Sequence, residues 1–495
     1  MNHALIFCVH DLALRRLAGP YRIATFLREH EWDVEVIDYV KSFTLEELKE
    51  VAKMRISSKT IFIGFSSFFN AWSDDVDIFI DWIKSSYPYI RIIVGGQSKP
   101  LINTKKVDYY IHGYGELAVL ELARSFVGNS NNKITLDPLY LGKKKVISAN
   151  KHYPAFPMNR LTIKYQDRDD LQPWEWLTIE CSRGCKFQCP YCNHPVLGVK
   201  GDYTRSAEDF KEDMKENWER WGIKNYYMAD ETFNDHSEKI EKYSDAIQQL
   251  NLDTIFAGFI RADLLVSRRR DWEPLLKMGF VGHFYGIETM NYETAKFIGK
   301  GMRPEKLGDG LIEVKNYFLS NGPYRGALGI VVGLPHETLE SQIKTFNWIE
   351  KNWQGECVHA FPLEIHGSET NDVQSTISKD MGKYGYRHSD IPEPEPPEEV
   401  KFFGSAETRV KQANDKVIWE NDNMTYADAC KIVDDFYVKI VRDEIIMKSS
   451  IWTFADYTYP DIPLQEVLDK VKYFDAPKNR TGPREREYVE KKLNK

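Results

Sequence analysis

Twice along this chain, short uninterrupted apolar runs alternate with stretches of helical periodicity, and no other feature constrains the fold as tightly. The first series holds Ala4–Cys8, Val34–Asp38, Thr60–Gly64 and Ile90–Val94, with a helical pattern over Tyr21–His30. Runs that are apolar throughout, rather than at every second residue, suit strands buried on both faces. Such strands imply a parallel sheet covered by helices. Ligands of a sheet of this kind lie beyond the carboxyl ends of its strands. The loops expected there carry Ser66-Ser67, Gly95-Gly96 and Gly113-Tyr114-Gly115-Glu116. An N-terminal Rossmann-like domain over residues 1–137 follows from this reading, with a polar linker over 138–173.

The second series runs through Leu177–Glu180, Asn225–Met228, Ile255–Ile260, Gly282–Gly286, Ala327–Val332 and Val358–Phe361. Six strand–helix units predict an α/β partial (β/α)6 barrel over 174–390 rather than the eight units of a full barrel. The proline-rich Ile391–Glu399 cannot continue a helix and reads as a spacer. A mainly helical extension over 391–495 follows. In it Thr425-Tyr-Ala-Asp428 is a capping-box pattern opening a helix through about Lys448, and the charged tail from Pro477 is expected to fray.

A chain of 495 residues exceeds the usual size of a single core, in keeping with several domains. No stretch approaches the roughly 20 apolar residues of a membrane helix. The opening Met1–Cys8 is too short and too weakly basic for a signal peptide and reads as a first buried strand. The net charge of −8 gives no general attraction for nucleic acid. Of seven cysteines, four crowd into the twelve positions from Cys181 to Cys192, which suits metal in a reducing, cytoplasmic compartment better than a disulfide framework.

Within that crowd, Cys185, Cys189 and Cys192 are spaced Cys-x3-Cys-x2-Cys. Three thiolates on a four-iron, four-sulfur cluster leave one iron open to a ligand, whereas four would close it. Zinc bound by four thiolates, or an electron-transfer cluster using Cys181 as well, fits the same residues, and both stay open at this level. The spacing, with Tyr191 just before the last cysteine, resembles the radical S-adenosylmethionine (SAM) superfamily signature. That resemblance implies a [4Fe-4S] cluster on Cys185, Cys189 and Cys192 and SAM on the open iron. It extends from about Trp174 to Leu363. It implies SAM contacts from Tyr191, from Asp230 and Glu231 (to the ammonium), and from Arg261, Glu288, Thr289 and Gly333. The structural alternatives are a helix cap for Asp230 and Glu231, a partner acid for Arg261 and a core ion pair for Glu288. His336 departs from the small residue usual beside the adenine.

The N-terminal pattern resembles the cobalamin-binding domains fused ahead of many radical SAM enzymes. Cobalamin contacts are then implied for Ser66, Ser67, Gly95, Gly96, Gly113, Gly115 and Glu116. The Asp-x-His-x-x-Gly element that ligates cobalt elsewhere is absent, and a Rossmann-like domain for another nucleotide remains the alternative. Together the two resemblances imply a cobalamin-dependent radical SAM methyltransferase of class B. One SAM then serves as methyl donor and a second as source of a 5′-deoxyadenosyl radical acting on an unactivated carbon. Rivals are a cobalamin-dependent cyclisation, rearrangement or oxidation without methyl transfer, and a non-catalytic iron–sulfur and cobalamin sensor. The expected partners are a small-molecule or peptide substrate and an external electron donor such as flavodoxin or ferredoxin. His112, Cys8 and Cys430 read as structural. His194, Cys357 and the aromatic run Ile451–Tyr459 are weaker candidates for a substrate pocket.

Overall fold

The structure is a computed structural model that describes residues 1–10, 15–67, 72–96, 106–129, 134–136, 145–153, 158, 162–192, 204–354, 356–366, 375–397, 416–443 and 483–494. His194 and Ile451–Tyr459 lie outside these residues, as do Lys448 and the side chain of Cys357. The chain divides into two compact units: residues 1–178, 216–223 and 476–495 in one, and 179–215 and 224–475 in the other. Among the described residues no helix is long and apolar enough to cross a membrane.

The first unit is built on a six-stranded parallel sheet. Its strands are β1 (Asn2–Val9), β3 (Trp32–Ile37), β4 (Thr60–Ser67), β5 (Arg91–Gly96), β6 (Tyr109–His112) and β7 (Lys145–Ser148), in the spatial order β3-β1-β4-β5-β6-β7. The two-residue β2 (Arg15–Arg16) pairs instead with Trp176 and Leu177. The uninterrupted apolar runs are buried on both faces as expected: Ala4 to Val9 are at most 4% exposed. The register sets Cys8 beside Ser66, Ser66 beside Gly95, and Gly96 beside His112, so the small polar residues line up along one end of the sheet.

Two sequence expectations fail in this unit. The segment taken as a linker over 138–173 supplies β7, because Val146 and Ile147 complete the sheet edge beside Tyr110 and Ile111. The charged tail expected to fray is, over its described residues, a helix, Pro483–Asn494. Tyr488 and Val489 of that helix are buried in the first unit's core with Ile37, Tyr39 and Phe43. Lys492 Nζ lies 3.4 Å from Glu35 and 3.5 Å from Asp170, and Arg486 pairs with Glu47. The boundaries at 137, 173 and 390 thus give way to a unit that collects the two ends of the chain.

The unit boundary falls inside β8 (Trp176–Ile179). From there β9 (Asn225–Met228), β10 (Ile255–Ile260), β11 (Phe280–Glu288), β12 (Arg325–Val332) and β13 (Cys357–Pro362) follow as parallel neighbours in chain order, as a partial barrel requires. Between them run helices such as Ser237–Gln248, Pro304–Asn321 and Leu339–Asn352. The Thr425 capping box forms as read: Asp428 N donates to Thr425 Oγ1 (3.1 Å) and Thr425 N to Asp428 Oδ2 (2.8 Å), opening the helix Tyr426–Asp443. Cys430, on this helix, is fully buried.

Candidate functional site

The three cysteines occupy an irregular loop that leaves β8, and the second unit holds that loop from several sides. Beneath it, Asp230 at the end of β9 is fully buried. One of its oxygens accepts from the backbone amides of Cys181 (2.7 Å) and Ser182 (3.1 Å), the other from the Lys239 ammonium (2.9 Å) and the Ser182 hydroxyl. Burial alone would depress the Lys239 pKa, but Asp230 and then Asp235 outweigh it and raise it, so the cation is fixed. Every hydrogen-bonding direction of Asp230 is therefore spent within the protein. Glu231, one residue on, is only partly buried and remains at the loop's margin.

At the loop's side, the Arg261 guanidinium lies 3.8 Å from the centre of the Phe187 ring, between the first two cluster cysteines. It donates twice to Asp263 (2.8 and 3.1 Å) and once to the carbonyl of Gly299 (2.6 Å). The partner acid weighed as an alternative is thus real, and Arg261 serves as a clamp on the loop. At the last cysteine, Tyr191 donates its hydroxyl to Glu288 Oε1 (2.9 Å), which also accepts from Lys300 (2.8 Å). Burial, then Glu288, raises the Tyr191 pKa and keeps the phenol protonated. Glu288 adopts a left-handed φ of 64°, uncommon for a residue with a side chain and costly unless its surroundings hold it.

Thr289 is buried and donates to Glu337, whose carboxyl pKa burial raises. Gly333 has a φ of 97°, and a Cβ there would come within 2.4 Å of the Trp419 ring, so glycine is required both for the turn and for packing. Its carbonyl accepts from Tyr386 (2.6 Å). His336 has a φ of 69° and an exposed side chain packed edge-on against Phe297. Thus Asp230, Arg261, Glu288 and Thr289 each make side-chain hydrogen bonds within the unit, and Glu231 is only partly buried.

Cys185, Cys189 and Cys192 are each partly exposed, and Cys185 Sγ lies 3.7 Å from the Thr232 hydroxyl. Cys181 is fully buried beside Met228 Sδ at 3.3 Å, and burial, then Asp230, raises its pKa. Its full burial is in keeping with the core position weighed for it from the sequence. Among the described residues, the one trio of ligand-type atoms gathered within 4.8 Å belongs to Cys8, His10 and Asp38 in the first unit. Cys185, Cys189 and Cys192 lie on one loop and none is fully buried, and three thiolates are the set that leaves one iron of a four-iron cluster open. The donor set therefore fits an iron–sulfur cluster held by three cysteines.

The Cys8 trio is of another kind. His10 Nε2 lies 2.6 Å from Asp38, and the buried Arg16 guanidinium stands 3.7 Å from the same carboxylate. Arg16 also bonds Glu175 (2.8 Å) and lies between the rings of Tyr39 and Tyr488, 4.8 and 4.7 Å from their centres. Burial, then Asp38, raises the Cys8 pKa, so this is a closed ion-pair network around a neutral thiol. Arg16, Glu175 and Lys239 were not singled out from the sequence; Arg16 and Glu175 meet across 159 positions of the chain.

In the first unit, Ser66 and Ser67 end β4 and Gly95-Gly96 end β5, with Ser67 buried and the others partly exposed. Gly113 has a φ of 93°, and a Cβ there would lie 2.7 Å from the side chain of Asn150, which accepts from the Tyr114 amide (2.9 Å). Gly115 then caps the helix Glu116–Phe126, with Glu116 buried in its first turn. The residues named from the sequence for this domain do gather at the carboxyl end of one sheet.

A parallel partial barrel whose first loop bears three cluster-spaced cysteines, bounded by acids at successive strand ends, defines an iron–sulfur enzyme core. Residues 179–349 match the sequence model of the radical SAM superfamily, and the chain carries a radical SAM domain. It is similar to an uncharacterized methyltransferase of Pyrococcus horikoshii, 22% identical over 371 residues that cover 71% of this chain and 78% of that protein. It is likewise similar to a hopanoid C-3 methylase of Methylococcus capsulatus, 22% identical over 94% of this chain and 90% of that protein. Among solved structures, the radical SAM methyltransferase TsrM of Kitasatospora setae, bound to cobalamin and a [4Fe-4S] cluster, shares the fold. Its TM-score is 0.62, at 13% identity, over 100% of this chain and 99% of that one.

Proposed function

We propose that this chain is a cobalamin-dependent radical SAM methyltransferase acting on an unactivated carbon. The observation that carries the reading is the presence of two separate sites in one chain. One is the three-thiol loop with its acidic rim, and the other is the small-residue end of a Rossmann-like sheet. The names of the similar proteins, two methyltransferases and a methylase, support the same reading. Cys185, Cys189 and Cys192 would hold the cluster, and Glu231 and Glu288 would lie toward SAM. Ser66, Ser67, Gly95 and Gly96 would line the cobalamin site. When bound, the cluster supplies the electron that splits SAM and the corrin supplies methyl-carrying cobalt.

The protein's own task is to fix geometry and exclude water. Asp230 and Lys239 tie down the loop's start, Arg261 grips Phe187, and Glu288 holds Tyr191 beside Cys192. An external low-potential donor of the flavodoxin or ferredoxin class would deliver the electron. The test uses the anaerobically reconstituted full chain with reductant, cobalamin, methyl-deuterated SAM and a cell extract as substrate source. Deoxyadenosine and S-adenosylhomocysteine should accumulate in about equal amounts, with deuterated methyl on a product carbon. Deoxyadenosine without label transfer would favour a non-methylating radical reaction. Neither product, in protein with verified cluster and corrin, would favour a sensor. Serine at Cys185, Cys189 or Cys192 should abolish cluster iron and SAM cleavage together, whereas Cys181→Ala should keep both.

A further inference from the structure

The two faces of the barrel sheet differ in a way that bears on what the cavity accepts. On the face packed beneath the helices, Tyr226, Phe256, His283, Tyr285, Leu328 and Ile330 are at most 1% exposed, as a closed core requires. Residues alternate across a strand, so their neighbours point to the opposite, inner face. There Phe259 is 39% and Phe361 36% exposed and Phe284 and His359 are partly so, while Tyr227 at the row's end is buried.

These inner residues form one connected row across the strands. Tyr227 meets Phe259 edge-on at 6.3 Å, and Phe259 meets Phe284 edge-on at 5.0 Å. Phe284 lies 5.5 Å from His359, which is nearly parallel to Phe361 at 6.3 Å. The Phe284 ring reaches across β12 over Gly329, where a Cβ would stand 2.8 Å from it. Ala257 and Ala327, in register with Gly282 and Phe284, leave room beside the rings. Between the first residues of the strands and the charged rim at their ends, the described positions of this face carry no Asp, Glu, Lys or Arg.

A barrel interior that takes no substrate is filled by interlocked aliphatic layers. A row of rings in mutual contact, with Phe259 and Phe361 about a third open and no Asp, Glu, Lys or Arg among them, instead offers π faces and edges to a flat guest. Resting on the proposed function for the cavity's role, we infer that the substrate group held inside the barrel is a planar, uncharged ring system seated against Phe259, Phe284 and Phe361.

The probes are 2-naphthol, its carboxylate analogue 2-naphthoate and its saturated analogue decahydro-2-naphthol, each titrated into the reconstituted full chain by calorimetry. Saturable 2-naphthol binding is expected, roughly tenfold tighter than either analogue. Phe284→Ala should weaken it about tenfold. Phe284→Leu, which keeps apolar bulk and the fold, should weaken 2-naphthol while sparing decahydro-2-naphthol. No saturable 2-naphthol binding, tighter binding of either analogue, or 2-naphthol binding unmoved by both Phe284 substitutions would overturn the inference. Reductive SAM cleavage by the wild-type chain, without any probe, reports on the proposed function alone. A chain that cleaves SAM but ignores 2-naphthol therefore defeats only this inference.

Discussion

Removing the Tyr488 ring should unlatch the first unit, although Tyr488 stands seven residues from the chain's last one. Its side chain is 3% exposed, its hydroxyl accepts from the Asp38 amide at 2.9 Å, and its ring meets Tyr39 edge-on at 5.4 Å. The opposite face of the contact is Arg16, 4.7 Å from the ring centre and itself fully buried. Truncating a buried aromatic costs about 3–5 kcal/mol. Leaving the Asp38 amide without its acceptor adds about 1 kcal/mol or more. Tyr488→Ala should therefore destabilise the first unit by about 4 kcal/mol, and Tyr488→Phe by about 1 kcal/mol. With a urea dependence of about 2 kcal/mol per molar, the first unfolding transition of Tyr488→Ala should move down by about 2 M. Far-ultraviolet circular dichroism across a urea series measures this, and hydrogen exchange of β1 and β3 assigns the transition to this unit. A midpoint within about 0.3 M of wild type, for Tyr488→Ala or for a chain ending at residue 482, would refute the reasoning and return the tail to a frayed end.

Asp230→Asn should leave the buried Lys239 cation without its carboxylate and destabilise the second unit by about 3–5 kcal/mol, read by urea denaturation, with lower cluster content after reconstitution. His283 is fully buried, donates from Nε2 to the Phe280 carbonyl (2.8 Å) and lies 2.6 Å from the Tyr285 hydroxyl; burial pushes its pKa down to about 4. The unfolded chain, with a pKa near 6.5, binds more protons between about pH 4 and 6.5, so stability rises with pH across that window and levels off above it. Wild type should lose about 2 kcal/mol between pH 7 and pH 5 through this residue, and His283→Gln should flatten that part of the slope in paired urea titrations.

Strand positions were legible because burial on both faces leaves an uninterrupted apolar run: Asn225–Met228 and Ile255–Ile260 carry the same bounds in sequence and structure. The cysteine loop was legible because its chemistry depends on spacing alone. What stayed hidden depends on partners far along the chain. Pro483–Asn494 holds two buried apolar residues among charges, and its charges find Glu35, Glu47 and Asp170, hundreds of positions away. The edge strand Lys145–Ser148 is four residues inside a polar stretch, too short for periodicity to mark. Asp230 and Glu231 look equivalent in sequence, yet Asp230 is fully buried and Glu231 only partly so, a difference set by what packs around them.

The second unit holds the cysteine loop at three places. A thiol loop without metal would ordinarily gain its order only from the metal, so that metal affinity and folding become one quantity. Here the protein orders the loop by its own contacts: the Asp230–Lys239 pair at its start, Arg261 on Phe187 in its middle, and Glu288 on Tyr191 at its end. Each anchor sits at the end of a different strand, β9, β10 or β11, so the rigid sheet transmits its spacing to the cysteines. Arg261 and Glu288 each hold an aromatic residue of the cysteine loop, so substitutions at either should lower cluster loading. A side chain that met only SAM would leave the iron content of the reconstituted protein unchanged.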